Sequence, residues 1–301
     1  MPVDYSNIEI DNIYNEIIGQ KNLSLSILRT DKIHPIISGN KLFKLHYFLD
    51  EALVSNHKMI ITFGGAYSNH LAATAYACKL SKLRCIGIVR GEEPKQLSHT
   101  LQQCINEGMQ LKFVSRDVYS QKDSSDFIEA LKMEFGNAIF VPEGGYSPLG
   151  ARGASLIMDL IPQNITHICC AVGTATTISG LLLNKKRHCR IIAIPVLKDM
   201  HDIKDRINFL TDAGVNFDSL DILSDYHFGG YAKKTEELID FMNDLYNLHQ
   251  LPTDFVYTAK MMYGIFDQIK NDHFPPGSNI MCIHTGGLQG NLSLPDGTLI
   301  F

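Results

Sequence analysis

The 301-residue chain lacks tryptophan, and it also lacks the short motifs of several common enzyme classes. It contains no GxSxG elbow, no HExxH or EF-hand pattern, no GKS or GKT phosphate loop and no GxGxxG fingerprint. These absences count against serine-hydrolase chemistry, a zinc protease, a calcium-binding module and a Walker-type nucleotide site. The twelve histidines are scattered without ligand spacing, so we predict no metal site.

Charge and hydropathy exclude further classes of partner. The net charge is −5 and no basic tract is present, so nucleic acid is not an expected partner. No apolar run approaches the roughly 20 residues of a membrane helix, so we expect no membrane association. The acidic, polar start MPVDYSNIEIDNIYNE counts against a signal peptide.

The cysteines are odd in number and form no CxxC pair, and several fall in apolar runs. They are Cys78, Cys85, Cys104, Cys169, Cys170, Cys189 and Cys282. We interpret them as buried thiols in a reducing compartment rather than a disulfide framework, which predicts a cytoplasmic protein.

Short apolar runs alternate with longer amphipathic ones along the whole chain. The predicted strands are 58–63, 84–89, 110–115, 138–141, 167–172, 190–196 and 279–284. The predicted helices lie near 41–55, 69–82, 96–107, 122–135, 149–161, 175–186, 201–213, 233–249 and 258–270. This alternation is typical of the α/β class, with twisted, mostly parallel sheets covered by helices on both faces.

Glycines follow three of the predicted strands. Gly64 and Gly65 follow the first, Gly173 follows HICCAV, and Gly286 and Gly287 follow NIMCIH. Glycines end many strands without any function. Three clusters that each include Ser, Thr or Asn nevertheless favour a ligand site, because ligands of open α/β sheets bind at the carboxyl ends of strands.

The segment SGNKLFKL (38–45) places Lys41 in the first turn of a predicted helix, where the helix dipole disfavours a cation. Lys44 lies three residues later on the same face. An amine that loses its proton there can act as a nucleophile. The alternative is an ordinary solvated lysine at a helix start, and this segment alone does not decide between the two.

Two other segments combine glycine with hydroxyl or amide side chains at a helix start. GGAYSNH (64–70) offers Ser68 and Asn69, which suit a small anion such as a carboxylate, or a simple Ser N-cap. VGTATTISG (172–180) suits a monophosphate, or equally a well-capped core helix. VYTAK (256–260) and HTGG (284–287) are weak signals taken alone, and His284 fits a core histidine better than a catalyst.

Together, these motifs and their spacing resemble the 1-aminocyclopropane-1-carboxylate deaminase / D-cysteine desulfhydrase family over about residues 20 to 290. The resemblance implies a pyridoxal-phosphate enzyme of the tryptophan-synthase β-like fold, also called fold type II. It further implies a homodimer and a small amino-acid substrate. The expected domains are a large cofactor-binding one of residues 1–46 plus 153–301 and a small inserted one of residues 47–152.

The resemblance also implies a role for each matching residue. Lys41 would be the Schiff-base lysine and the base. Asn69 would bind the phenolic oxygen of the cofactor, and Ser68 would bind the substrate carboxylate. The phosphate would be held by Gly173, Thr174, Ala175, Thr176 and Thr177. Tyr257 would lie against the cofactor ring, and Tyr231 would be a second active-site tyrosine. Lys44 matches a second family lysine whose role stays open.

Two positions separate the branches of the family. Deaminases carry Glu where this chain has Thr258, and HLGG where it has HTGG with Thr285. Either threonine would meet the pyridine nitrogen and leave it neutral, which favours elimination of a β-leaving group. We therefore expect β-elimination, with D-cysteine giving pyruvate, ammonia and sulfide.

Three alternatives remain open. Cyclopropane ring opening is the first. A lyase or racemase of D-serine or a related amino acid is the second, because Ala66 and Tyr67 depart from the usual family pattern beside the carboxylate site. A homologue that binds a small anion without catalysis is the third.

Overall fold

The structure is a computed structural model that describes residues 5–34, 38–55, 57–185 and 188–301. The interpretation of the N-terminal segment therefore rests in part on positions 1–4, which lie outside the described residues. The predicted helix near 175–186 likewise ends at a position outside them. Nowhere in the described part of the chain is a helix both long and apolar enough to cross a bilayer.

Ten strands form two sheets within the described ranges. The strands are β1 (Ile10–Ile13), β2 (Ser24–Leu28), β3 (Met59–Gly64), β4 (Arg84–Arg90), β5 (Met109–Val114), β6 (Ile139–Val141), β7 (His167–Val172), β8 (Arg190–Pro195), β9 (Leu220–Ile222) and β10 (Asn279–Ile283). The large sheet has the order β1-β2-β10-β7-β8-β9, and the small sheet has the order β5-β4-β3-β6. Every pairing is parallel except that of β1 with β2. The predicted α/β class with mostly parallel sheets is confirmed.

Eleven α-helices are found among the described residues. They are α1 (Glu16–Gln20), α2 (Lys41–Val54), α3 (Asn69–Leu80), α4 (His99–Asn106), α5 (Arg116–Ser120), α6 (Ser125–Phe135), α7 (Pro148–Ala154), α8 (Thr176–Leu183), α9 (Ile203–Leu210), α10 (Glu236–His249) and α11 (Thr258–Lys270). Short 3-10 helices cover Thr30–Ile33, Glu143–Gly145, Ser155–Leu160, Ser224–Tyr226 and Leu288–Ser293. All nine predicted helices are present, although the one near 149–161 changes to a 3-10 helix after Ala154.

Strands β1, β2 and β9 were not predicted from the sequence. β1 and β9 are edge strands of three or four residues, too short to give a clear apolar run. β2 reads SLSIL, so its serines interrupt the apolar pattern, yet the strand lies between β1 and β10 with four of its five residues buried. Its position in the sheet, rather than its composition, decides its burial.

Helices α2, α7 and α8 pack against one another through glycines. A Cβ on Gly153 of α7 would lie 2.1 Å from the carbonyl oxygen of Phe43 in α2. A Cβ on Gly180 of α8 would lie 2.5 Å from the carbonyl oxygen of Ala151 in α7. Any side chain at these two positions would push the helices apart. This packing fixes the start of α2 relative to the start of α8.

The small sheet uses residues 59–141, and the large sheet uses residues on both sides of that range. The two-domain division at 46/47 and 152/153 stays a proposal, and both boundaries fall inside helices, α2 and α7. All seven cysteines are buried thiols, as the sequence predicted.

Candidate active site

Lys41 is the first residue of α2, directly after a turn that requires glycine. Gly39 has a left-handed backbone, with φ +76°, and a Cβ there would lie 1.9 Å from the carbonyl oxygen of Thr285. The close approach holds the start of α2 against the HTGG segment. Burial lowers the pKa of Lys41 to about 8, and the Asp254 carboxylate opposes part of this shift.

Asn40 occupies the N-cap position of α2, but its side chain does not cap the helix. Its Nδ2 instead donates to Thr177 Oγ1 at 2.7 Å, and its Oδ1 accepts from Lys41 Nζ at 2.8 Å. The sequence indicated a cap here, because Asn is a common N-cap residue. The structure shows a buried amide that joins the lysine to the threonine turn of α8.

Lys44 is buried one turn further along α2, with 4% of its surface exposed. Its Nζ donates to the carbonyl oxygen of Gly144 at 3.3 Å. Burial, together with the charge of Lys41, lowers its pKa well below the usual range. The two lysines share a face as predicted, and neither is solvated as a surface lysine would be.

The GGAYSNH segment joins β3 to α3. Ser68 is the N-cap of α3, and its Oγ accepts from the N–H of Leu71 at 3.2 Å. Its hydroxyl proton remains available for a ligand. Asn69, the first residue of α3, has a buried Oδ1 that accepts no hydrogen bond from the described part of the chain. A Cβ on Gly287 would lie 3.0 Å from Asn69 Nδ2, so a glycine at this position leaves space in front of the amide.

The Gly-Thr segment forms the turn between β7 and α8. Ala175 has a left-handed backbone, with φ +67°, and stands at the N-cap without a side-chain cap. The hydroxyls of Thr174 and Thr176 lie 2.9 Å apart, and Thr176 and Thr177 are buried. The first N–H groups of α8 therefore have hydroxyls beside them and no capping side chain, a suitable arrangement for a phosphate.

Two tyrosines lie near the lysine. The Tyr257 ring packs on Gly173, where a Cβ would lie 3.0 Å from Cε1, and its centre is 6.0 Å from Lys41 Nζ. Tyr231 meets it edge-on, with ring centres 6.1 Å apart, and is 55% exposed. Burial, followed by the neighbouring Tyr231, raises the pKa of Tyr257 well above 10, so it stays a neutral phenol.

The two discriminating threonines differ in their hydrogen bonds. The Thr258 hydroxyl is fully buried and donates to Asp254 Oδ1 at 2.7 Å. The Thr285 side chain is 6% exposed, and no described residue forms a hydrogen bond with its hydroxyl. Since a hydroxyl has a single proton to donate, only Thr285 keeps its proton for a ligand.

Asp254 was missed by sequence reasoning. Its Oδ1 accepts from the N–H and hydroxyl of Thr258, and its Oδ2 accepts from the N–H groups of Val256 and Tyr257. Four donors therefore occupy the roughly four lone-pair sites of the carboxylate. The sequence did contain a signal for this residue, because Asp is a common capping residue and Asp254 lies shortly before the predicted start of α11.

Lys260 was also missed. It is fully buried in α11, and its Nζ donates to the carbonyl oxygens of His227, at 2.8 Å, and Gly230, at 2.7 Å. Burial lowers its pKa to about 8. These bonds hold the turn that ends at Tyr231. The sequence gave no sign of this contact, because its partners are carbonyl oxygens about 30 residues away.

Two open α/β sheets, a partly buried lysine of lowered pKa and an uncapped Gly-Thr turn define an enzyme that can hold a phosphorylated, aldehyde-bearing cofactor. The sequence model of the family "Pyridoxal-phosphate dependent enzyme" matches residues 21–286. The chain belongs to this family.

Curated relatives and a solved structure agree with this assignment. A provisionally named 1-aminocyclopropane-1-carboxylate deaminase of Thermotoga maritima is 30% identical over 89% of each chain. The bifunctional D-cysteine desulfhydrase/1-aminocyclopropane-1-carboxylate deaminase of Arabidopsis thaliana is 29% identical over 88% of this chain and 73% of that protein. The crystal structure of an ACC deaminase homologue superposes with a TM-score of 0.78 at 26% identity, over 95% of this chain and 90% of that one.

The residues present fit pyridoxal phosphate. Lys41 supplies an amine whose lowered pKa favours the reactive neutral form. The Asn69 amide has a buried oxygen that no described residue bonds. Gly287 leaves space that a Cβ would fill, and the hydroxyls of the α8 turn suit a phosphate. The lysine amine, the Asn69 amide and the threonine hydroxyls are therefore suitable partners for the aldehyde, the phenolic oxygen and the phosphate of the cofactor.

Proposed function

We propose that this protein catalyses β-elimination from a small amino acid, and that D-cysteine is its substrate. The supporting observation is that Asp254, which bonds Thr258, already has four donors, whereas no described residue bonds the Thr285 hydroxyl. Thr285 would therefore meet the ring nitrogen of the cofactor. A hydroxyl donor favours an unprotonated nitrogen, whereas a free carboxylate would favour a protonated one.

Pyridoxal phosphate, when bound, supplies an electron sink for bond breaking at Cα, and an unprotonated ring is a weaker sink that suits substrates with a good leaving group. Lys41 Nζ would attach the cofactor and, once displaced by the substrate amine, would accept the Cα proton. Its pKa of about 8 leaves part of it neutral near pH 7.

The remaining residues would bind and orient. The Asn69 amide would bind the phenolic oxygen, and the Ser68 hydroxyl would donate to the substrate carboxylate. Gly173, Thr174, Ala175, Thr176 and Thr177 would hold the phosphate through N–H groups and hydroxyls. Tyr257, kept neutral by its raised pKa, would lie against the ring, and Tyr231 would cover the open side.

Cyclopropane ring opening is the second candidate, because the relatives from Thermotoga and Arabidopsis carry that activity in their names. The lyase or racemase of D-serine is the third, since Tyr67 is 56% exposed beside the Ser68 segment and could contact a different substrate. A homologue that only binds an anion is the fourth. Cytoplasmic location and a homodimer stay predictions.

The deciding experiment is a substrate panel on purified protein saturated with pyridoxal phosphate. Sulfide and pyruvate are measured with D-cysteine and L-cysteine, pyruvate with D-serine, and ammonia with the cyclopropane substrate. We expect the highest kcat/KM with D-cysteine. A higher kcat/KM with the cyclopropane substrate would contradict the proposal, and absence of a visible cofactor band would support the non-catalytic alternative.

A further inference from the structure

A polar cavity lies on the small sheet, outside the residues assigned to the active site. Its volume is about 490 Å³, and it opens at the carboxyl ends of β4, β5 and β6. It is lined by Arg90, Arg116, Tyr119, Ser120, Lys122 and Glu143. None of these residues has a place in the proposed chemistry.

The cavity has an excess of positive charge. Arg90 is the last residue of β4 and Arg116 is the first of α5, and neither forms an ion pair with any residue that the structure describes. Lys122 Nζ lies 2.9 Å from Asp123 and 3.9 Å from Glu143, so its charge is largely balanced. The excess therefore comes from two guanidinium groups, whose planar donor sets match carboxylate and phosphate oxygens.

Tyr119 adds a buried polar group to this cavity. The residue is only 4% exposed, and its hydroxyl lies close to the Glu143 carboxylate but forms no hydrogen bond of good geometry with any described residue. Arg90 and Lys122 both approach its ring, at 5.9 Å and 5.7 Å from the ring centre. Burial, followed by the charge of Glu143, raises the pKa of Tyr119, so the hydroxyl keeps a proton to donate. Buried polar groups without partners are uncommon in native proteins.

The cavity adjoins the candidate active site without sharing its residues. Arg90 Nη2 would lie 3.6 Å from a Cβ on Gly65, in the segment that leads to Ser68. Glu143 precedes Gly144, whose carbonyl oxygen accepts from Lys44 Nζ. A ligand in the cavity would therefore lie beside the segment that we assign to the substrate carboxylate.

We infer that this cavity binds a small anion bearing a phosphate or carboxylate group, held by Arg90 and Arg116 with the Tyr119 hydroxyl as a further donor. Glu143 lines the same cavity and disfavours anions with a second negative group near it, because like charges repel. The anion has two possible sources. It is either a free ion that acts as an effector or the second acid group of an amino-acid substrate, and the latter source rests on the proposed function.

Calorimetry on the cofactor-saturated protein tests the site directly with inorganic phosphate as the probe. Saturation with pyridoxal phosphate keeps the probe out of the cofactor's own phosphate site. We expect a dissociation constant of about 1 mM for phosphate. A titration up to about 10 mM, ten times that value, therefore covers the binding curve. R90Q and R116Q should each weaken it about tenfold or more, the usual effect of losing a charge-assisted hydrogen bond. Y119F should weaken it by a smaller factor.

Arg84 supplies the matched control, because it is the exposed first residue of β4 and Arg90 is the exposed last one. R84Q removes the same charge from the other end of the same strand and should leave phosphate binding unchanged. Absence of phosphate binding by the unmodified protein would overturn the inference. So would equal binding by R90Q and the unmodified protein, or equal loss in R84Q and R90Q, which indicates a general charge effect.

Kinetics then separate the two sources. If the anion is part of the substrate, phosphate should compete with O-phosphoserine but not with serine, and R116Q should raise the KM of O-phosphoserine alone. If it is a free effector, phosphate should change the turnover of an uncharged-side-chain substrate without competing. The calorimetry does not depend on turnover. Phosphate binding in this cavity can therefore be measured even if the protein does not react with D-cysteine.

Discussion

Lys41 is partly buried and Lys44 is buried in α2, and their amines contact different partners. Lys41 Nζ meets the Asn40 amide and the Tyr257 face, whereas Lys44 Nζ is bonded to the Gly144 carbonyl. We expect Lys41→Ala to abolish the visible absorption of the lysine-bound cofactor. It should also lower turnover by at least the 10²- to 10⁴-fold that a general base typically contributes.

Lys44→Met is the matched variant, since methionine has a similar length and suits a buried position. It should keep the visible band, because Lys44 is not the proposed partner of the cofactor. Absorption spectra and steady-state rates of both variants check this. A Lys41→Ala protein that keeps its band would refute the assignment of this lysine.

The roles of Thr258 and Thr285 are tested by replacing each threonine with valine. Thr285→Val should lower kcat for D-cysteine with little change in stability, because no described residue bonds its hydroxyl. Thr258→Val should instead lower the free energy of unfolding by about 1–3 kcal/mol, because Asp254 loses a buried donor. Urea denaturation and D-cysteine kinetics of the two variants measure both effects. The reverse pattern would assign the ring nitrogen to Thr258.

At the scale of elements, the turn before α8 is predicted to carry the phosphate. Thr174→Ala should weaken the affinity for pyridoxal phosphate by about tenfold or more, corresponding to a charge-assisted bond of roughly 1.5–3 kcal/mol. The rate at saturating cofactor should change less. Thr177→Ala should in addition lower stability, because Thr177 accepts from the Asn40 amide. Unchanged cofactor affinity in Thr174→Ala would place the phosphate elsewhere.

Helix α11 is predicted to position Tyr231 through Lys260. Lys260→Met should release the turn at His227 and Gly230, so kcat/KM should fall while the visible cofactor band persists. Lys270→Met, at the exposed end of the same helix, is the control and should behave as the unmodified protein. Kinetics with D-cysteine and absorption spectra are the measurements. Unaltered kinetics in Lys260→Met would remove this positioning role.

At the scale of the whole molecule, the lowered pKa values of histidines predict how the free energy of unfolding changes at acidic pH. Burial lowers the pKa of four of them, His34, His70, His167 and His249, and that of His70 to about 3. Below their ordinary pKa of about 6.5 the unfolded chain binds more protons than the folded one, so the free energy of unfolding falls as pH decreases. Above that pH these histidines contribute no slope.

The decline should begin near pH 6.5, before the carboxylates titrate. Urea denaturation of the apoprotein between pH 7.5 and 5.5 measures it, and His70→Gln should make the slope shallower. A flat profile over this range in the unmodified protein would contradict the prediction.

The sequence by itself determined the class and the chemistry-bearing segments. Strand–glycine–helix patterns depend on local propensity and turn chemistry, so Lys41, the GGAYSNH segment and the α8 turn could each be located within a residue or two. The start of α6 and the end of α7 were less accurate, because Ser124 caps α6 two residues inside the predicted helix and Ser155–Leu160 form a 3-10 helix. Local signals of this kind do not require knowledge of distant residues.

The tertiary structure alone decided which side chains meet. The bond of Asn40 to Thr177 spans 137 positions, and the contact of Gly39 with Thr285 spans 246 positions. The proposed preference for Thr285 over Thr258 also depends on packing, because it requires that no described residue bonds the Thr285 hydroxyl. Hydrogen-bond saturation and burial are properties of packing, and a linear sequence does not specify them.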